Sequence, residues 1–255
     1  MRTNLSSQIS LNHVSPRYYK PENAVERSVL TRLEKIPTDI FETIEEGVRR
    51  IADEVAAKIQ ERQREGKFCT LAIGTGTSLR PLFTELVRRH KDEGLSFRNV
   101  VVFNLYEFYP LTEGNGSTFG QLNSLFLSQT DIDRQNVFTI DGSIPQNAIS
   151  EHCRLYEQRI QTFGGIDIVL MGIGREGNIG MNEPGSHASS PTRLILLDAT
   201  SRSEAARNWG VDNLPPCSIT MGINTIMGAR KVYMLAWGED KADIIRSAVE
   251  DKVSD

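Results

Sequence analysis

The chain has 255 residues, 39% of them hydrophobic and 24% charged, with a formal net charge of −4. That length suits one domain with a sizeable core, and the slightly acidic balance argues against nucleic acid or an anionic membrane as partner. Cys69, Cys153 and Cys217 lie far apart without metal-ligand spacing, as expected of reduced thiols in a cytoplasmic protein, and no apolar run forms a signal core or a membrane span.

Residues 1–35 read as an N-terminal extension. Its first 23 residues are polar and carry Pro16 and Pro21, which predicts a surface-wrapping or partly disordered segment. Val25, Val29, Leu30 and Leu33 then recur at near-helical spacing, predicting a short amphipathic helix over 24–35. Thr38 is the expected N-cap of the next helix, whose apolar stripe runs through Ile44, Val48, Ile51, Val55 and Ile59 until Gly66 stops it.

Residues 68–73 form an apolar run followed by Gly74-Thr75-Gly76-Thr77-Ser78 and a helical stretch over 81–90. A strand, a loop of small hydroxylated residues and a helix make a phosphate cradle, because backbone N–H groups and the helix N-terminus both favour an anion. The lysine of a nucleotide-binding P-loop is missing. A strand is expected over 99–104, a polar loop over 111–120, a helix over 121–127, a strand end over 136–141 and a helix over 148–163 carrying His152. That histidine reads as a packing or surface residue.

Ile166, Ile168, Val169, Leu170 and Met171 suit a strand buried on both faces of a parallel sheet. Gly172, Gly174, Gly177 and Gly180 then turn the chain sharply, with Glu176 and Glu183 flanking Asn178 and Asn182. Two carboxylates and two amides on a glycine-rich loop suit proton transfer to a hydroxylated small molecule; a plain polar strand-to-helix connection is the other reading. Strands over 194–197, 218–221 and 232–237 and a helix over 201–209 follow. The fold expected is a three-layer α/β/α domain with a mostly parallel, Rossmann-like sheet and its site at the strands' C-terminal edge.

Residues 172–184, Gly-Ile-Gly-Arg-Glu-Gly-Asn-Ile-Gly-Met-Asn-Glu-Pro, resemble the G-x-G-x-D-G-H-I-A-F-N-E-P segment of the glucosamine-6-phosphate deaminase family, which shares its fold with 6-phosphogluconolactonases and sugar isomerases. The Asn-Glu-Pro ending is similar to the deaminase branch. The resemblance spans about residues 36–253 and implies that Thr75, Gly76, Thr77, Ser78, Arg207 and Lys241 bind the substrate phosphate. It further implies that Glu183 assists ring opening and Glu176 helps to hold or polarise the acid/base group. No metal or organic cofactor is implied.

Three chemically important positions depart from the pattern, the first being Glu176, where the family has an aspartate. The family's F-N-M-D-E-Y reads Phe103-Asn104-Leu105-Tyr106-Glu107-Phe108 here, so Tyr106 stands where an aspartate moves the proton between C1 and C2. A phenol of pKa about 10 is a poor base at neutral pH. Asn178 stands where a histidine shuttles the ring-opening proton, and an amide cannot titrate there. The family's allosteric basic cluster is partly matched by Ser186 and Arg193, with Ile195 in place of a lysine.

The leading expectation is therefore a deaminase-like protein of amino-sugar phosphate metabolism with reduced or lost turnover. A non-catalytic sugar-phosphate-binding regulatory domain stays open, as does a lactonase or isomerase that uses Glu107, Tyr106 or His187. The resemblance leaves room for a homo-oligomer. The chain stops short of the family's terminal tail, which suggests a piece of a longer polypeptide with a fused C-terminal domain.

Overall fold

The computed structural model describes residues 36–112, 116–210 and 214–251, together with Ala24, Val25 and Ser28. The remainder of the N-terminal extension, the centre of the 111–120 loop and the last four residues lie outside the described residues.

Five strands form one parallel sheet: β1 (Cys69–Ile73), β2 (Val100–Asn104), β4 (Val137–Phe138), β5 (Ile168–Gly172) and β8 (Lys231–Leu235). The order across it is β4-β2-β1-β5-β8. The strands are short apolar runs because both faces are covered, and successive side chains alternate between two cores. Leu71, Ile73, Val100, Val102, Ile168 and Leu170 face one core; Ala72, Val101, Phe103, Val169 and Met171 face the other.

Three helices cover the first face: α1 (Ile44–Arg64), α2 (Arg80–Glu93) and α3 (Thr118–Leu125). Helix α1 starts five residues later than the sequence suggested. Thr43 is its N-cap, accepting a hydrogen bond from the Glu46 amide at 3.2 Å, whereas Thr38 donates to the Ile36 carbonyl. Glu45 and Glu46 in the first turn and Arg62 and Arg64 in the last oppose the helix dipole.

The second face carries α4 (Ile149–Thr162) and a small antiparallel sheet that the sequence did not announce. Its strands are β3 (Tyr106–Tyr109), β6 (Arg193–Leu196) and β7 (Cys217–Thr220), in the order β3-β7-β6. Tyr106 thus opens a new strand, paired with Thr220, after β2 has ended at Asn104. Helices α5 (Ala199–Trp209), α6 (Ile223–Met227) and α7 (Ala242–Glu250) complete the chain. Of the 136–141 stretch only Val137–Phe138 is strand, and the helix expected at 121 begins at Thr118 because Ser117 caps it. Among the described residues no helix is long and apolar enough to cross a membrane.

One of the two buried carboxylates among the described residues lies at the sheet's N-terminal edge. Asp167, 2% exposed, accepts from the Thr70 amide at 3.0 Å, pairs with Arg62 and lies 3.4 Å from Arg230. It joins α1, β1 and β8 at the end opposite the glycine loops. Arg62 keeps Glu65 as a second partner at 3.1 Å and Arg230 is half exposed, so losing Asp167 mainly leaves the Thr70 amide and one side of the Arg62 guanidinium without an acceptor, at about 1–3 kcal/mol. Asp167→Ala should therefore lower the unfolding free energy by that order, read as a lower urea midpoint, while ligand affinity in the folded protein stays unchanged. An unaltered midpoint would remove this ion pair from the account of stability.

Candidate active site

In an open parallel sheet the crevice lies where neighbouring strands send their connections to opposite sides. Here β1 runs on to β2, while β5 lies on the other side of β1. A cavity of about 560 Å³ opens there, at the C-terminal ends of β1, β5 and β8.

The loop after β1 supplies Gly76, Thr77 and Ser78 to its wall. Thr77–Leu79 makes one 3₁₀ turn that runs directly into α2, so the loop sits at a helix entrance. Thr75 is buried beneath it and donates to the Tyr106 hydroxyl at 3.4 Å. The Trp237 indole, just past β8, donates to the Ser78 carbonyl at 2.7 Å and pins the loop. A Cβ at residue 172 would lie 2.5 Å from the Ser78 hydroxyl, so glycine there lets that hydroxyl rest against the end of β5.

The loop after β5 folds on itself. The Gly174 amide donates to the Asn178 carbonyl at 2.9 Å, and Gly177 takes a φ of +84° in the turn between. The Asn178 side chain lies across Gly174, where a Cβ would meet its Oδ1 at 1.8 Å. That oxygen is buried without a hydrogen-bond partner among the described residues.

Of the ten residues singled out from the sequence, Gly76, Thr77, Ser78, Tyr106, Asn178, Arg207 and Lys241 line this one cavity. Burial pushes the Tyr106 phenol above its ordinary pKa, with the hydrogen bonds from Thr75 opposing the shift. The group is a neutral hydroxyl at physiological pH. Lys241 donates to the Ile173 carbonyl at 3.0 Å and lies 3.4 Å from Glu204. Arg207 has no carboxylate partner among the described residues.

The two carboxylates of the glycine loop are placed elsewhere. Glu176 is exposed and outside the cavity wall. Glu183 accepts from the Asp198 amide at 3.2 Å and the Ser201 hydroxyl at 2.9 Å, holding the entrance of α5. Asn182 donates to the Ile179 and Met221 carbonyls and accepts from Arg193, which also donates to Ser186. These groups brace the loop from behind.

The other acid/base candidates also have partners. Glu107, 1% exposed, accepts from the Phe108, Thr118 and Phe119 amides and the Ser117 hydroxyl at 2.8–3.1 Å, anchoring the start of α3. His187 is exposed and bonded to Ser189. His152 accepts from the Asp141 amide at 3.1 Å, and burial lowers its pKa. Burial raises the Cys69 thiol to about 12 and Cys153 to about 11, leaving both unreactive. No group of three or more His, Cys, Asp or Glu among the described residues is arranged to hold a metal ion.

Sequence reasoning missed Arg175, Glu204 and Asp240 on the cavity wall. Glu204 lies 3.7 Å from the Arg175 guanidinium and 3.4 Å from Lys241, and Arg175 also contacts Asp240 at 3.3 Å. The only available signal was position: Glu204 precedes Arg207 by one helical turn, and Asp240 precedes Lys241.

The sequence profile of glucosamine-6-phosphate isomerases and 6-phosphogluconolactonases matches residues 42–255. A protein of Bacteroides thetaiotaomicron described as glucosamine-6-phosphate deaminase-like is 60% identical over 257 residues, covering 100% of this chain, which spans 39% of that relative's length. The glucosamine-6-phosphate deaminase of Bacillus velezensis is 34% identical over 207 residues, 80% of this chain and 85% of that one. Among solved structures, a monomeric glucosamine-6-phosphate deaminase superposes with a TM-score of 0.78 at 32% identity, covering 84% of this chain and 87% of its own. A 6-phosphogluconolactonase from Trypanosoma brucei shares the fold, with a TM-score of 0.67 at 18% identity over 87% of this chain and 89% of its own. With the parallel sheet, the loops and the cavity in place, this chain belongs to the family of glucosamine-6-phosphate isomerases and 6-phosphogluconolactonases.

Proposed function

We propose that this chain binds a hexose 6-phosphate in the cavity at the ends of β1 and β5, and that its deaminase turnover is greatly reduced. The observation that carries the reading is the convergence of Gly76, Thr77, Ser78, Arg207 and Lys241 on the same wall as Tyr106 and Asn178. The first five are anion-binding groups: loop amides and hydroxyls at a helix entrance, a guanidinium and an ammonium. The last two stand where the deaminase pattern has its base and its ring-opening acid.

Deamination of an amino-aldose phosphate to a ketose needs a proton taken from C2, a proton delivered to C1, and a proton shuttled to the ring oxygen. A buried neutral phenol and an amide hold hydrogen bonds but do not cycle protons near pH 7. Loss of one general acid/base group typically lowers a rate by about 10²- to 10⁴-fold. Glu107 does not replace the missing base, because its four hydrogen bonds tie it to the Phe108 amide and to the start of α3. Binding without efficient chemistry suits a regulatory or sensing role.

The phosphate assignment predicts that a hexose 6-phosphate raises the melting temperature far more than its unphosphorylated parent does. Arg207→Ala should remove most of that difference, since a charge-assisted contact is worth about 1.5–3 kcal/mol. Equal stabilisation by glucosamine and glucosamine 6-phosphate would place the anion elsewhere.

The catalytic assignment predicts little ammonia release from glucosamine 6-phosphate by the unmodified chain. Tyr106→Asp combined with Asn178→His should raise it by more than either change alone, because the two groups serve successive proton transfers. Robust turnover that survives both Tyr106→Phe and Asn178→Ala would show that the acid/base groups lie elsewhere.

A further inference from the structure

The carboxylates of the cavity carry an inference about the sugar itself, which rests on the sugar-phosphate reading above. Glu204 and Asp240 are the acidic side chains on its wall among the described residues. Both are engaged by cations: Glu204 by Arg175 and Lys241, and Asp240 by Arg175. The other acids near the site are turned to structural tasks. Glu107 anchors α3, Glu183 holds the entrance of α5, and Glu176 is exposed outside the wall.

Apart from the cation Arg207, the rest of the cavity lining is uncharged among the described residues. Tyr106 is 7% exposed and offers a hydroxyl, and Asn178 offers an amide. Leu105, Met171 and Met181, buried to 92% or more, add apolar surface. A protonated amine brought against these side chains loses water and gains no negative partner, which is unfavourable for an unpaired charge. A hydroxyl or an acylamino group meets neutral donors and acceptors, and an acyl methyl would meet methionine side chains.

We infer that the cavity selects hexose 6-phosphates whose second carbon carries an uncharged substituent, a hydroxyl or an acylamino group, over the protonated 2-amino sugar. Tyr106 and Asn178 are then specificity-determining residues. They supply neutral hydrogen-bonding groups and no negative charge to hold an ammonium.

Isothermal titration of the purified chain with glucose 6-phosphate, N-acetylglucosamine 6-phosphate and glucosamine 6-phosphate at pH 7 tests this. At least one of the uncharged pair should bind roughly tenfold more tightly than glucosamine 6-phosphate, a difference of about 1.4 kcal/mol. Introducing a carboxylate by Tyr106→Asp should narrow or reverse that preference, and Asn178→Asp provides the same test should the first variant fail to fold. Glucosamine 6-phosphate binding as tightly as both others, or more tightly, overturns the inference and leaves the sugar-phosphate reading standing. Binding by none of the three overturns both.

Discussion

The site depends on one close approach. The loops that leave β1 and β5 lie against each other where Gly172 presents no side chain to the Ser78 hydroxyl. A Cβ there would turn that hydroxyl out of its present rotamer. The Trp237 indole, arriving from β8, holds the Ser78 carbonyl from the other side. Three adjacent parallel strands, β1, β5 and β8, thereby deliver their C-terminal loops to one cavity. Parallel strands all end at the same edge, so the loops of this sheet share a rim in a way that those of an antiparallel meander do not.

The second organising feature is where negative charge is spent. The chain has 33 acidic residues against 29 lysines and arginines, yet the cavity's charge is set by a handful of placements. Asp167 lies at the opposite edge of the sheet with Arg62, and Glu107 sits under α3. Glu157 accepts from Thr192 and Thr225, which ties α4 to the start of β6 and to α6. Each of these carboxylates satisfies donors that would otherwise be buried and unpaired, the condition for tolerating a charge in the interior. On the cavity wall Glu204 and Asp240 are matched with cations, and Arg207 remains as the cation without a carboxylate among the described residues.

The parallel strands were legible because strands buried on both faces are continuous apolar runs ending in glycine. β1, β2, β5 and β8 each begin and end within two residues of the stretches expected from the sequence. The strand–loop–helix unit over residues 69–93 was legible for a related reason: strand, small hydroxylated residues and helix follow one another directly in the chain. The antiparallel sheet was legible only in part: the strands expected over 194–197 and 218–221 are β6 and β7, but β3 and the pairing among them were not announced. Tyr106–Tyr109 follows β2 after a single residue, and only its pairing with Cys217–Thr220 separates the two strands. No local periodicity carries that information. The start of α1 was misplaced because Thr38 and Thr43 are both good caps, and the choice was made by where the helix meets the core.

Residue chemistry is a property of the sequence alone, so the chain's family likeness, its small hydroxylated loop over 74–78 and the absence of a carboxylate at 106 and of an imidazole at 178 were determined before any folding. What each carboxylate does was decided only by the tertiary structure. Glu176 and Glu183, prominent in the motif, end outside the cavity wall, while Glu204, unremarked in the sequence, stands on it between Arg175 and Lys241. A carboxylate's role depends on which donors reach it and how much water it keeps. Those partners come from segments far apart in the chain, and only packing brings them together.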